Sequence, residues 1–343
     1  MNQRRYTIKD VAKHAGVAVS TASLALNNKR YVSDSLKKKV QLAVEKLEYV
    51  PNRSARSLIS KATGNIGFIV SEEHFSTAEP FYTRVFLGTE FAARQRDYYI
   101  LLTTVPNKFL SSHLPRFVLE RNVDGVILAG KISEAYAAAV TSSGIPAVVV
   151  DYDFKKTRMP AVNVDNKMGI GIAVEHLFGL GHTDIAFIGG DLAHPSIRLR
   201  LEGYRSAMER LGLKMNDALV SVDEPNTGVE DGYKALSKIL DRKINFTAVV
   251  SCNDAVAIGA MRALKERSLS IPDDVSIVGF DDVELCEHVE PRLSSIGVPK
   301  EELGATALRI LTQAIREGNH KISTVLIQPA LVGRESTKQT LND

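Results

Sequence analysis

Thr7-Ile8-Lys9-Asp10-Val11-Ala12-Lys13-His14-Ala15-Gly16-Val17 decides how the first sixty residues of this 343-residue chain fold. A threonine followed three positions later by an aspartate has the capping-box spacing, so a helix is predicted from Thr7 with its free amides bound by these side chains. Ile8, Val11 and Ala12 fall at helical spacing before Ala15-Gly16-Val17, a small-residue turn that lets a second helix cross the first closely. The second helix is predicted over about Val19 to Leu26. Ser33 is placed to cap a third, in which Leu36, Val40, Ala43, Val44 and Leu47 recur on one face and Lys37, Lys38, Lys39 and Lys46 surround them. That helix stops before Pro51. Three short helices around a small core, the first two joined by a glycine-bearing turn, make a helix-turn-helix, whose second helix enters the major groove of DNA.

The charge agrees with that reading. Net charge is only +3, yet residues 1–61 hold 13 Lys and Arg against 4 Asp and Glu, a balance of +9, which leaves −6 for residues 62–343. Phosphate neutralisation needs local positive density, so this asymmetry suits a polyanion-binding head on a differently employed body, whereas a solvated basic tail would lack the helical patterning. Apolar content of 44% and charged content of 24% describe a soluble globular chain. No apolar run approaches a bilayer span, and nothing apolar follows Met1-Asn2-Gln3-Arg4-Arg5 to form a signal peptide, so a cytoplasmic protein without a membrane role is expected. Cys252 and Cys286 lie in apolar surroundings and read as buried reduced thiols.

With these motifs in hand, the head resembles the lactose repressor (LacI) family of bacterial transcription regulators. The resemblance is carried by residues 7–17, by Ser20-Thr21-Ala22-Ser23 through Leu26-Asn27, and by Tyr49-Val50-Pro51-Asn52-Arg53-Ser54-Ala55. It implies that Val19 and Ser20 open a recognition helix and read base edges, that Ser23 and Asn27 hold backbone or base, and that Tyr49 and Asn52 contact phosphates. Ile8, Thr21, Leu24, Tyr31, Ser33, Arg53 and Ala55 complete the DNA-facing set it implies. Two positions depart from the family. Ala18 stands where a capping Ser or Thr is usual, and Leu24 where an arginine commonly reads guanine; leucine offers only apolar contact, for example to a thymine methyl, or packs in the head core. Residues 52–58 are too short to be stably helical alone. The resemblance makes them a hinge helix that forms on DNA, pairs with its copy in a dimer and drives Leu58 into the minor groove as an apolar wedge; the plainer alternative is a linker whose Leu58 packs on the body.

Beyond residue 62, short β-branched runs alternate with helical stretches: Ile66–Val70, Asp124–Leu128, Ala147–Val150, Asp184–Ile188, Thr247–Val250 and Val275–Val278 as buried parallel strands, with Val85–Arg96, Gly169–Leu180, Leu201–Leu211 and Ala255–Glu266 as helices. The fold class expected is therefore α/β: an all-α helix-turn-helix head (1–51), a hinge (52–61), and two doubly wound α/β lobes (62–343). The first lobe takes about 62–163 plus 293–325, and the second about 164–292 plus 326–338. Ligands in such sheets bind at the carboxyl ends of strands, which puts a cleft between the lobes.

Enzymatic and cofactor signals are weak. No Gly-x-Gly-x-x-Gly follows a strand, there is no phosphate-binding Gly-x-x-x-x-Gly-Lys-Ser/Thr and no Gly-x-Ser-x-Gly, and His176 with His182 lacks metal-ligand spacing. No catalytic residue, metal or cofactor is expected. The strand ends instead carry Asp151, Asn253-Asp254 and Asp281-Asp282, with Arg200 ahead of Gly203-Tyr204. Paired carboxylates, an amide and a guanidinium suit a polyhydroxylated ligand, although any single Asp after a strand also serves as a helix N-cap.

Asn163-Val164-Asp165-Asn166, Leu180-Gly181-His182, residues 200–204 and residues 272–282 extend the resemblance to the family's effector domain, which is similar to periplasmic sugar-binding proteins (type I). The resemblance implies effector contacts from Arg200, Asn253 and Asp281, with Asp151, His194, Phe81 and Tyr82 lining the cleft. Thr227 stands near where many relatives have an aromatic cap. The expected function is a homodimeric DNA-binding regulator, a repressor, on a pseudo-palindromic operator in double-stranded DNA, controlled by a small effector of sugar type. Alternatives are control by a phosphoprotein corepressor, as in the carbon-catabolite branch of the family, whose partner-binding arginine Arg309 weakly resembles, or by a nucleobase, and a sugar-binding protein without DNA function.

Overall fold

The structure, a computed structural model, describes residues 6–26, 32–49, 62–72, 81–106, 114–190, 192–318 and 322–340. It divides into two compact units, residues 1–63 and 64–343.

The head contains α1 (Ile8–Ala15), α2 (Val19–Leu26) and α3 (Asp34–Lys46). Asp10 Oδ2 closes the start of α1 by accepting from the Thr7 amide at 2.8 Å and from the Thr7 hydroxyl at 2.7 Å, the Thr7–Asp10 pairing expected from their spacing. Gly16 ends α1 at φ +66°, a left-handed conformation that glycine adopts without Cβ strain, and this turns the chain into α2. Val11, Ala12, Ala22, Ala25, Val32, Val40 and Ala43 are buried at the junction of the three helices. One expectation is corrected: Ser33 stands at the N-cap of α3, but its hydroxyl meets Ser35 Oγ at 3.2 Å instead of a helix amide. Leu24 is half-buried and packs on this core, which agrees with the packing alternative kept for it.

The body is built from two six-stranded sheets. The first contains β1 (Asn65–Ser71), β2 (Tyr99–Val105), β3 (Gly125–Ala129), β4 (Ala147–Val150), β5 (Ala161–Val164) and β11 (Thr324–Ile327), in spatial order β11-β5-β4-β3-β1-β2. The second contains β6 (Ile185–Gly190), β7 (Val220–Glu224), β8 (Ala248–Ser251), β9 (Ser276–Asp281), β10 (Ser294–Gly297) and β12 (Ala330–Val332), in order β12-β10-β9-β8-β6-β7. All pairs are parallel except β10 with β12. Central strands such as β3 and β8 are buried along their whole length, as layers covered on both faces require.

The connecting helices are α4 (Phe81–Arg94), α5 (Arg116–Leu119), α6 (Glu134–Ser142), α7 (Asn166–Gly179), α8 (Pro195–Arg210), α9 (Val229–Asp241), α10 (Asp254–Glu266) and α11 (Lys300–Glu317). Because β10 pairs with β9, the chain returns to the first sheet only after residue 297, later than the 292/293 boundary read from sequence. It leaves that sheet after Ile327 to add β12 to the second. Helices α4 and α11 touch backbone to backbone: a Cβ on Gly304 would lie 2.0 Å from the Val85 carbonyl oxygen.

Helix α8 starts at Pro195, six residues ahead of the expected Leu201, because proline is favoured in the first turn and His194 caps it. Both cysteines are buried and form no disulfide, as expected of buried reduced thiols. His182 bonds Thr247 Oγ1 at 2.9 Å and the Lys338 carbonyl at 3.1 Å, while His176 bonds Thr337 Oγ1 at 3.0 Å, so both are packing residues. No helix among the described residues is long and apolar enough to cross a membrane.

Candidate functional site

In the head, α2 presents Val19, 41% exposed, and Ser20 at its first turn, with Thr21, Ser23 and Leu24 half-buried behind them. Ile8 and Tyr49 are half-buried against the head core. Lys9, Lys13, Lys38, Lys39 and Lys46 are exposed, so the positive charge stands in solvent while the apolar face holds the helices together. Asn27, Tyr31, Asn52, Arg53, Ala55 and Leu58 lie outside the described residues, as do residues 73–80.

In the body, a cavity of about 100 Å³ opens between the two sheets' carboxyl ends and is lined by Phe81, Tyr82, Asp151, His194, Ser196, Ile197, Arg200, Thr227, Asn253 and Asp281. It gathers all seven residues singled out for the cleft by sequence. Phe81, Asn253 and Asp281 also face an adjoining chamber of the same volume with Val229, Ile258, Val283 and Leu285 on its walls. The first lobe supplies Phe81 and Tyr82 from the start of α4 and Asp151 from the end of β4. The second supplies His194 to Arg200 from α8, Asn253 at the N-cap of α10, and Asp281 at the end of β9.

Arg200, 3% exposed, is the most connected group. Its Nε donates to Asn166 Oδ1 at 2.7 Å, one terminal nitrogen to the Cys252 carbonyl at 2.6 Å and the other to Asp281 Oδ1 at 3.1 Å, with the guanidinium 3.7 Å over the Phe280 ring. Three of its five N–H donors are thus committed to the protein, and one of them holds Asp281. Among the described residues Asp281 Oδ2 takes no hydrogen bond, which leaves it for a ligand donor.

Asp151 is clasped from both lobes: Tyr82 Oη donates to Oδ2 at 2.7 Å and Ser196 Oγ to Oδ1 at 2.9 Å. The second bond crosses the cleft. Burial, and next the Asp151 charge, push the Tyr82 phenol well above its ordinary pKa, so it stays protonated and donates. His194 Nδ1 accepts from the Ser196 amide at 3.2 Å; an imidazole accepting there carries its proton on Nε2.

Asn253 is oriented by its own backbone surroundings, accepting from the Val256 amide at 2.8 Å and donating to the Thr227 carbonyl at 3.0 Å. It therefore caps α10 as well as lining the cavity. Behind it, the fully buried Asp254 accepts from Ser295 Oγ at 2.6 Å and the Val283 amide at 2.9 Å, and burial, then Asp281, push its carboxyl up to about 7. Asp151, right after β4, and Asp281, the last residue of β9, have φ of +57° and +100°. Non-glycine residues held in such conformations concentrate at ligand clamps.

Sequence reasoning missed Ser196 and Ile197, which were placed ahead of the helix, and Asn166, whose role depends on a partner 34 positions away. Pro195 was the available signal for the first two. Phe81 is on the cavity wall with Thr227 and stands edge-on to Tyr82 with ring centroids 5.0 Å apart. Among the described residues no group of three or more His, Cys, Asp and Glu gathers to hold a metal.

Comparison with known proteins agrees with both units. Residues 7–52 match the profile of "Bacterial regulatory proteins, lacI family" and residues 174–337 that of "Periplasmic binding protein-like domain". The chain is 33% identical to the ribose operon repressor of Haemophilus influenzae, over 96% of this chain and 98% of that one. It is also 33% identical to the transcriptional repressor PurR of Pasteurella multocida, over 98% and 99%. A lac repressor dimer bound to operator and the anti-inducer ONPF superposes with a TM-score of 0.79 at 29% identity, covering 98% of this chain and all of that one. With full-length identity above 30% to named repressors and a matching head and body, the chain belongs to the LacI family of DNA-binding bacterial regulatory proteins.

Proposed function

We propose that the chain is a cytoplasmic, homodimeric repressor whose heads bind the two halves of an operator and whose inter-lobe cavity binds a neutral monosaccharide. The observation that carries the effector reading is the convergence of Asp151, Arg200, Asn253 and Asp281, spread over 130 residues, on one small cavity. Two carboxylates against one guanidinium that already makes three bonds within the protein disfavour an anionic ligand and accept from hydroxyls. Chambers of about 100 Å³ are small beside the 300 Å³ or more of drug-sized pockets, which favours one sugar ring.

In this reading Asp281 Oδ2 and Asp151 accept from ring hydroxyls, Asn253 and His194 Nε2–H orient them, and Phe81 covers the apolar ring face. Val19 and Ser20 read bases from the open end of α2, with Thr21, Ser23, Leu24, Ile8, Ser33 and Tyr49 around them, and residues 52–61 join head to body. Control follows by population shift: a ligand that binds one lobe arrangement better changes operator affinity by the same factor by which operator changes ligand affinity. No catalytic residue is assigned. The purine repressor relative supports a second reading, a nucleobase effector, with Phe81 as stacking partner. A thermal-shift screen of neutral sugars and nucleobases against wild type and Asp281→Ala separates them. Stabilisation of wild type by a sugar, lost in the variant, supports the first reading, and stabilisation by nucleobases alone supports the second.

A further inference from the structure

Asp281 and Asp282 are consecutive non-glycine residues with positive φ, +100° and +51°. The first lies far from the left-handed well near +57°, so the turn persists only where its surroundings hold it. Second-lobe groups hold part of it: Asp282 N donates to Ser295 Oγ at 3.1 Å, Val283 N to Asp254 Oδ2 at 2.9 Å, and Arg334 to Asp282 Oδ1 at 2.7 Å.

Arg200 holds the Asp281 side chain from the second lobe as well, and a further hold comes from the other lobe. Lys300, the first residue of α11 and only 8% exposed, donates from Nζ to the Asp281 carbonyl and to the Asp282 carbonyl, the latter at 3.1 Å. Lysine is seldom so buried without partners. Here both partners are carbonyls of the strained pair. Helix α11 is in turn fixed to α4, which carries Phe81 and Tyr82, by the Gly304–Val85 approach and by the Arg84–Glu301 pair at 3.0 Å.

We infer that Lys300 is a positioning residue that ties the first-lobe helix pair to the Asp281 turn, so that the ligand carboxylate and the arrangement of the lobes are set together. This rests on the reading of the cavity as an effector site. Without the ammonium the turn has no first-lobe anchor among these contacts, and Asp281 loses its fixed angle to Arg200.

The test uses the full chain with Lys300→Met, Lys300→Gln and Lys300→Arg, and the tightest-binding sugar from a panel of neutral pentoses and hexoses. Amide exchange over residues 281–283 and sugar affinity by calorimetry are read on each. The Met and Gln variants are expected to exchange the Asp282 and Val283 amides at least about tenfold faster and to bind the sugar at least about tenfold more weakly, as loss of a charged hydrogen bond implies. Lys300→Arg, which keeps charge and donors, stays within about threefold of wild type on both. Side-chain bulk alone would be preserved in Lys300→Met and would leave both readouts unmoved. Wild-type behaviour in both Met and Gln variants overturns the inference, as does an Arg variant impaired like Met. If wild type binds no sugar of the panel, the sugar reading fails and unchanged amide exchange in the Met and Gln variants overturns the inference by itself; if wild type binds and the variants match it on both readouts, only the inference fails.

Discussion

Replacing Arg200 by methionine keeps roughly the aliphatic stem of the side chain and deletes the guanidinium with its donors. Asn166 Oδ1, the Cys252 carbonyl and Asp281 Oδ1 each lose a partner, and Phe280 loses the cation on its face. With side-chain exposures of 4% for Arg200 and 14% for Asp281, water can replace little of this. Removing one partner of a buried ion pair costs about 3–5 kcal/mol, and orphaned neutral acceptors add to it less than additively, so a loss of about 4 kcal/mol is expected. For a unit of the size of residues 64–343 this lowers the melting midpoint by roughly 8–16 °C. The assay is differential scanning calorimetry of the full chain, with Asp281→Asn and the double variant completing a cycle. Since Arg200 and Asp281 share one contact, the double variant is expected to fall short of the sum by about 1–3 kcal/mol. A loss under 1 kcal/mol for Arg200→Met, or strict additivity in the cycle, would refute the claim that Arg200 holds Asp281.

Other consequences concern the surroundings. Asp254 has a folded pKa of about 7 against an ordinary value of 3.8, so the folded state holds the extra proton; stability is full below about pH 4 and falls as pH rises towards 7. Denaturant midpoints measured between pH 4 and 8 should show that fall, and Asp254→Asn, which cannot ionise, should flatten it; parallel pH profiles would contradict this. Gly304→Ala forces a Cβ to within 2.0 Å of the Val85 carbonyl, so separating α11 from α4 should cost about 2 kcal/mol or more by denaturant titration. In the head, Gly16→Val places a β-branched residue at φ +66° and should destabilise the isolated head transition by about 1–2 kcal/mol, while Gly16→Asn should be milder.

Where residues interact with near neighbours, the sequence was readable. The capping pair Thr7 and Asp10, the turn at Gly16 and the β-branched runs of β1, β3, β4 and β8 act within a few positions, and α2 lies where its apolar residues put it. Strand β2 was missed because it is an edge strand with exposed Tyr99 and half-exposed neighbours. Strand β10 was missed because Ser294 and Ser295 look like loop. Both are buried through bonds to Ser336, Arg334 and Asp254, 40 or more positions away. The start of α8 was obscured by Arg198 and Arg200 interrupting its apolar pattern. The cavity's composition was legible as polar residues at strand ends, but Ser196, Asn166 and Lys300 owe their places to tertiary partners that periodicity does not register.

The central claim is tested most directly by quantitative footprinting of the full chain on the DNA upstream of its own gene, titrated at 50 and 200 mM salt with and without the sugar that stabilises it. A protected pseudo-palindrome is predicted, with affinity falling by roughly a thousandfold or more between the two salts as the head's cations neutralise phosphates and shifting by about fivefold or more with the sugar. Absence of protection at low salt would contradict the DNA-binding reading, and protection indifferent to every cavity ligand would contradict its control by the effector site.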